Sequence, residues 1–172
     1  MDGAPEVSEE DLPSPSGFTR FHPFIKGVFS QWHATPFDLE GRRFVTAEQW
    51  MMFAKARLFD DIARAEAILG APDPGEQKRH GQQVAGFDQA TWDRWKVDIV
   101  HRGSLAKFGQ NDGALRQLLA TGDAMLVEAN PRDWIWGVGL SADDPAAQSP
   151  AAWKGSNLLG RILTDVKTRL AR

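Results

Sequence analysis

The chain contains no cysteine. Disulfide scaffolding, thiolate catalysis and cysteine-ligated zinc are therefore excluded. No apolar run approaches the roughly 18–20 residues that cross a bilayer as a helix. The first residues are acidic, where a secretory leader carries a basic segment. The expectation is a cytoplasmic protein with no membrane association. The four histidines, His22, His33, His80 and His101, show neither HxxxH nor HExxH spacing, so no metal site is expected. G-x-S-x-G and G-x-x-x-x-G-K-[ST] are also missing. Gly137-Val138-Gly139 lacks the third glycine and the following helix of a dinucleotide fingerprint. No cofactor is expected, and no block of like charge marks a dedicated DNA groove.

What remains is a chain of 172 residues, enough for one domain with a real core. An apolar share of 42% and a charged share of 25% fit a globular protein. The net charge of −3 is unevenly spread. Residues 1–17 hold five of the 23 acidic residues, three prolines and none of the 20 basic ones. They read as a disordered acidic tail, leaving residues 18–172 as a near-neutral domain.

Helical patterns dominate that domain. The stretch PFDLEGRRFV, 36–45, alternates around Glu40-Gly41 and predicts a short hairpin. TAEQ follows, with Thr46 as N-cap, Gln49 as its capping-box partner, and Val45 and Trp50 as a hydrophobic staple. Ala47, Met51, Ala54 and Leu58 continue at helical spacing. Further helices are predicted over 60–69, around 75–83, from a cap at Asp88 to about 108, and from Asp112 with Leu115, Leu118 and Leu119 buried. Residues 124–129, AMLVEA, predict a short strand. A loop over 130–155 precedes a last helix opened by Ser156 or Asn157. The fold class is mainly α, a multihelical single domain with a few short β-strands; β-α alternation is too sparse for a doubly wound sheet.

Two carboxylates stand in structured settings. Glu48 falls at the second helical position after Thr46. There a carboxylate gains a few tenths to about 1 kcal/mol from the helix dipole, an ordinary role. The same position also aims an acid or base from a rigid element. Asp133, in VEANPRDWIWGVGL, suits a turn after Pro131, since Asp bonds readily to nearby backbone amides. The surrounding Trp134 and Trp136 are costly in a solvated turn, which leaves a pocket wall as the other reading. Most of the seven tryptophans suit the core, and those at element ends suit stacking on a base.

The segments LEGRRFVTAEQWMMFAKA, WDRWK, LAKFGQN, LLATGDAMLVEANPRDWIWGVGL and WKGSNLLGRIL, in that order, resemble the YbiA-like, or NADAR, family. The resemblance spans roughly residues 21–170 and implies the YbiA-like multihelical fold. It implies cleavage of N-glycosidic bonds, either in phosphoribosylamino-pyrimidine intermediates of riboflavin synthesis or between ADP-ribose and guanine. In some members the second activity opposes a toxin ADP-ribosyltransferase. The partner implied is thus a small ribosylated base or an ADP-ribosylated nucleic acid. A non-catalytic ADP-ribose or nucleotide reader is the competing class.

Carried over residue by residue, the resemblance marks Glu48 of T-x-E, Asp133 of D-x-x-W-G and Trp92 of W-x-x-x-K as catalytic. It marks Lys55, Lys96, Trp136, Gly137, Asn157, Ser30 and Trp32 as substrate-binding. In a variant of the chemistry Lys55 traps the opened sugar as a Schiff base. The sequence departs from the family pattern at Gln49, where a histidine often stands. It also departs at Gln82, which replaces the arginine of a Gly-Arg pair, and at Gln31-Trp32, which replaces Asn-Phe.

Overall fold

Residues 3–172 are described by a computed structural model. The helix at its centre, α1 (Ala47–Leu58), begins where TAEQ predicts. The Thr46 hydroxyl accepts the amide of Gln49 at 3.0 Å. The capping box differs in one respect. Gln49 Oε1 takes the amide of Val45, not that of Thr46, at 2.8 Å. Its Nε2 turns the other way and donates to the carbonyls of Ile68, Leu69 and Ala71. A capping residue thereby ties α1 to the end of α2 (Ile62–Leu69). α1 is buried nearly all round, as befits a helix enclosed by others.

The hairpin forms as expected, with β2 (Phe37–Leu39) antiparallel to β3 (Arg42–Phe44). It sends Phe44 against Trp50 and Phe53 of α1, ring centroids 5.4 and 5.3 Å apart. α3 (Pro74–Gly81) and α4 (Gln89–Gly109) start at Asp73 and Asp88, whose side chains accept amides three residues on. Trp50 Nε1 donates to the Ile99 carbonyl at 2.7 Å, pinning α1 to α4. In α5 (Asp112–Ala120) the buried face is Ala114 and Leu118. Leu119, expected in the core, is 38% exposed, because the helix end turns it away from α4 and Leu115 is only partly covered. α6 (Leu158–Leu170) buries its apolar stripe against α4 and the strand β4 (Met125–Glu128).

One strand was not expected. Phe21–Phe24 forms β1, which pairs in parallel with β4, Phe21 opposite Met125. Pro23 is tolerated because β1 is an edge strand of this two-stranded sheet. The acidic segment also differs from the disordered tail expected. Residues 3–17 lie along the domain, with Val7 and Leu12 each 5% exposed. The backbone amides of Glu6 and Val7 donate to the buried Asp98 carboxylate, and Arg161 donates to the carbonyls of Pro13 and Glu9. Two apolar anchors and two charged clasps outweigh a composition that, read alone, favours disorder. Among the described residues no helix is long and apolar enough to cross a membrane.

Candidate active site

Two segments leave the parallel β1–β4 pair side by side. One runs over 25–32 after β1, the other over 129–137 after β4. The carboxyl ends of parallel strands are a natural place for a crevice. Here a cleft of about 650 Å³ opens between these segments, α1 and the start of α4. α1 contributes Glu48, Met51, Met52 and Lys55, and the first turn of α4 contributes Trp92. Ser30, Gln31, Trp32 and Lys26 come from the first segment; Arg132, Asp133 and Trp136 come from the second. Lys78 and Gln82 lie on the α3 side, and Glu128 closes β4.

The Glu48 backbone amide donates to the Gln31 carbonyl at 3.0 Å, so helix start and loop hold one another. Lys107 of α4 steadies the same loop, donating to the Ser30 carbonyl at 2.9 Å. Burial pushes the Lys107 ammonium down to about 7. Glu48 itself is 4% exposed. Burial pushes its carboxyl up to about 7, against the pull of Lys78 and Lys55 and with added push from the Asp133 charge. Burial also lowers Lys55, while Glu48 opposes that shift. The Lys55 ammonium sits 4.8 Å from the Phe87 ring centroid and 5.6 Å from that of Trp92.

Asp133 combines both roles that its sequence context suggested. Its Oδ1 accepts the amides of Ile135 and Trp136 at 2.9 and 2.8 Å, a local turn. The same side chain lines the cleft and acts electrostatically on Glu48 across it. Trp136 lies half-buried beside it, whereas Trp134 and Trp32 are exposed, at 58% and 48%. Lys78 Nζ stands 6.0 Å from the Trp32 ring centroid.

Three residues carried over as binding groups do not line the cleft. Lys96 is turned along α4 onto Asp93, at 2.8 Å. Gly137 is buried where a Cβ would meet the carbonyls of Glu128 and Asp133, so it lets β4 and the Asp133 turn approach closely. Asn157 is fully buried in a left-handed conformation, φ 52°. Its side chain clasps β4 by accepting the Glu128 amide and donating to the Leu126 carbonyl, each at 3.0 Å. Of the departures from the family pattern, Gln31, Trp32 and Gln82 stand on the cleft wall. Gln49 belongs to the helix junction.

Glu128 escaped the sequence reading. It is 8% exposed, and among the described residues its Oε2 has no hydrogen-bond partner. Burial, then the neighbouring Asp133 charge, raises its carboxyl to about 8. A glutamate ending the apolar run AMLV was the available signal. The cleft thus sets three carboxylates among four cations, Lys26, Lys55, Lys78 and Arg132. Among the described residues no group of three or more side chains is arranged to hold a metal ion.

A NADAR domain model matches residues 18–171. An N-glycosidase of Acanthamoeba polyphaga mimivirus is 39% identical over 145 residues, covering 81% of this chain and 85% of its own. The NMR structure of the Escherichia coli protein YbiA superposes with a TM-score of 0.73 at 27% identity, over 89% of this chain and 86% of that one. A riboflavin biosynthesis protein of Vibrio vulnificus is 28% identical over 84% of this chain and 35% of its own length.

Proposed function

Because the chain belongs to the NADAR domain family, we propose that it is an N-glycosidase that hydrolyses the bond between ADP-ribose and guanine in nucleotides or nucleic acid. The observation that supports this reading is one cleft holding Glu48, Asp133 and Trp92 together, though they come from three separate parts of the chain. Breaking a C1′–N bond builds positive charge on the ribose, and a fixed carboxylate stabilises it. Asp133, its Oδ1 held by two amides, suits that task. Glu48, raised to about 7, suits taking the proton of the attacking water near neutral pH. Trp92 stacks on the departing base and Lys55 closes over it. Lys26, Lys78 and Arg132 offer charge for a diphosphate, and exposed Trp32 offers a face for a second base. The protein's counterpart is then an ADP-ribosyltransferase that installs the linkage.

A second reading, hydrolysis of a phosphoribosylamino-pyrimidine, is favoured by the Vibrio relative's name. Presenting both substrates to the protein side by side separates the two by which sugar phosphate is released. Glu48→Gln is expected to lower release roughly 10²–10⁴-fold with the fold retained. Tight binding without release of either sugar would instead mark a reader with no turnover. An unchanged rate in folded Glu48→Gln would remove Glu48 from the chemistry.

A further inference from the structure

Of the three carboxylates that line the cleft, Glu128 has no part in the scheme above. A structural role explains it poorly. Buried carboxylates are normally paired with a cation or several donors, because an unpaired buried charge is costly. Glu128 Oε2 has no partner among the described residues, and the charge acting on it is the like-signed Asp133. Its backbone, by contrast, is held on both sides. The amide donates to Asn157 Oδ1 at 3.0 Å, and the carbonyl accepts the amide of Val138 at 3.0 Å. Gly137 packs under the side chain, where a Cβ would come within 3.2 Å of Glu128 Cγ. The fold therefore anchors the Glu128 backbone on both sides and buries one carboxyl oxygen without a partner, at a residue that lines the cleft.

We propose that Glu128 is the general acid of this cleft, protonating the nitrogen of the departing base. The inference rests on the N-glycosidase reading. As the C1′–N bond breaks, its electron pair passes to the base nitrogen, which takes the Glu128 proton. The hydroxide part of water bonds to C1′, and the remaining water proton goes to Glu48. Water is thereby divided between sugar and base. One proton has moved from Glu128 to Glu48, and exchange with solvent returns it before the next turnover. Burial raises the Glu128 carboxyl and the neighbouring Asp133 charge raises it further, which favours the protonated form that a general acid requires. The other charged groups facing this cleft are Asp133, Lys26, Lys55, Lys78 and Arg132.

The test uses leaving groups that differ in their need for a proton. Guanine joined to ribose through its exocyclic amine departs as an anion unless protonated; a pyridine joined to ribose through its ring nitrogen, as a pyridinium, departs as a neutral base. Glu128→Gln is expected to lose 100-fold or more on the amine and far less on the pyridinium. The wild-type protein should show a falling basic limb of kcat near pH 8 with the amine, absent with the pyridinium. That comparison needs no variant and stands if Glu128→Gln fails to fold. Equal losses on both substrates, no loss on the amine, or a basic limb that Glu128→Gln retains would each overturn the assignment. A wild-type protein that releases no sugar from either substrate would overturn the N-glycosidase reading itself.

Discussion

At Glu48 two effects compete. The helix N-terminus favours its charge by at most about 2 kcal/mol, about 1.5 pH units. Burial acts the other way and raises the carboxyl from 4.5 to about 7, so burial wins. Glu128, raised to about 8, repeats this without a helix dipole. Raised carboxyl pKa values carry a sign for stability. The native state holds these protons more tightly than the unfolded chain, so their contribution is full below about 4.5. It erodes as pH rises and is gone above about 8. Glu128→Gln should therefore melt close to wild type at pH 4 and several degrees higher at pH 9, given about 2–4 °C per kcal/mol in a domain of this size. Lys107, lowered to about 7, has the opposite slope, costing stability as pH falls from 10.5 toward 7. It is common to both proteins and drops out of the difference. Melting curves of the pair at the two pH values decide the point; parallel curves would mean that Glu128 is not buried as an acid.

The elements divide into those whose ends are written locally and those that need a partner. Thr46 and Asp88 cap their helices where the sequence places them, and the Glu40-Gly41 hairpin forms. β1 could not be read in advance, because Phe21-His22-Pro23-Phe24 has no strand pattern and becomes a strand only against β4, far along the chain. The junction of α1 with α2 shows the same dependence, since Gln49 was legible as a cap but not as a tie. Gln49→Ala would leave the Val45 amide and the Leu69 carbonyl without their partner, whereas the Ile68 and Ala71 carbonyls keep the Ala71 amide and the Gln77 side chain. At roughly 1–3 kcal/mol for each buried group left unsatisfied, a loss of about 2–4 kcal/mol is expected. Urea unfolding measures it, and a change under about 0.5 kcal/mol would show that water replaces the amide. The site follows the same division. Glu48, Asp133 and Trp92 stand in motifs that carry a resemblance. Glu128 lies in the same resembling segment as Asp133, five residues before it, but what distinguishes it, a buried oxygen without a partner near Asp133, arises only from tertiary packing.

Across the whole molecule, the N-terminal segment is a strap over Asp98 of α4 and Arg161 of α6. It shares none of the cleft's lining residues. Removing residues 1–17 would strip Asp98 of two amide donors and uncover the seats of Val7 and Leu12. Each apolar anchor is worth about 1.5–3 kcal/mol before the entropy of ordering the strap is subtracted. The truncated protein should melt roughly 5 °C lower or more while keeping its turnover at low temperature. Calorimetry beside an activity assay checks both, and an unchanged melting point would reduce the strap to a loose tail. At this scale the neck of the Asp133 loop has a consequence for descent. The Val138 amide and the Glu128 carbonyl close that loop on itself. Glu128 and Asp133 are thus spaced by one short stretch of the gene, and Glu48 arrives from elsewhere. A single short insertion or deletion between them would therefore shift both carboxylates of this wall at once, whereas Gln31, Trp32 and Gln82 reach the cleft from other parts of the chain.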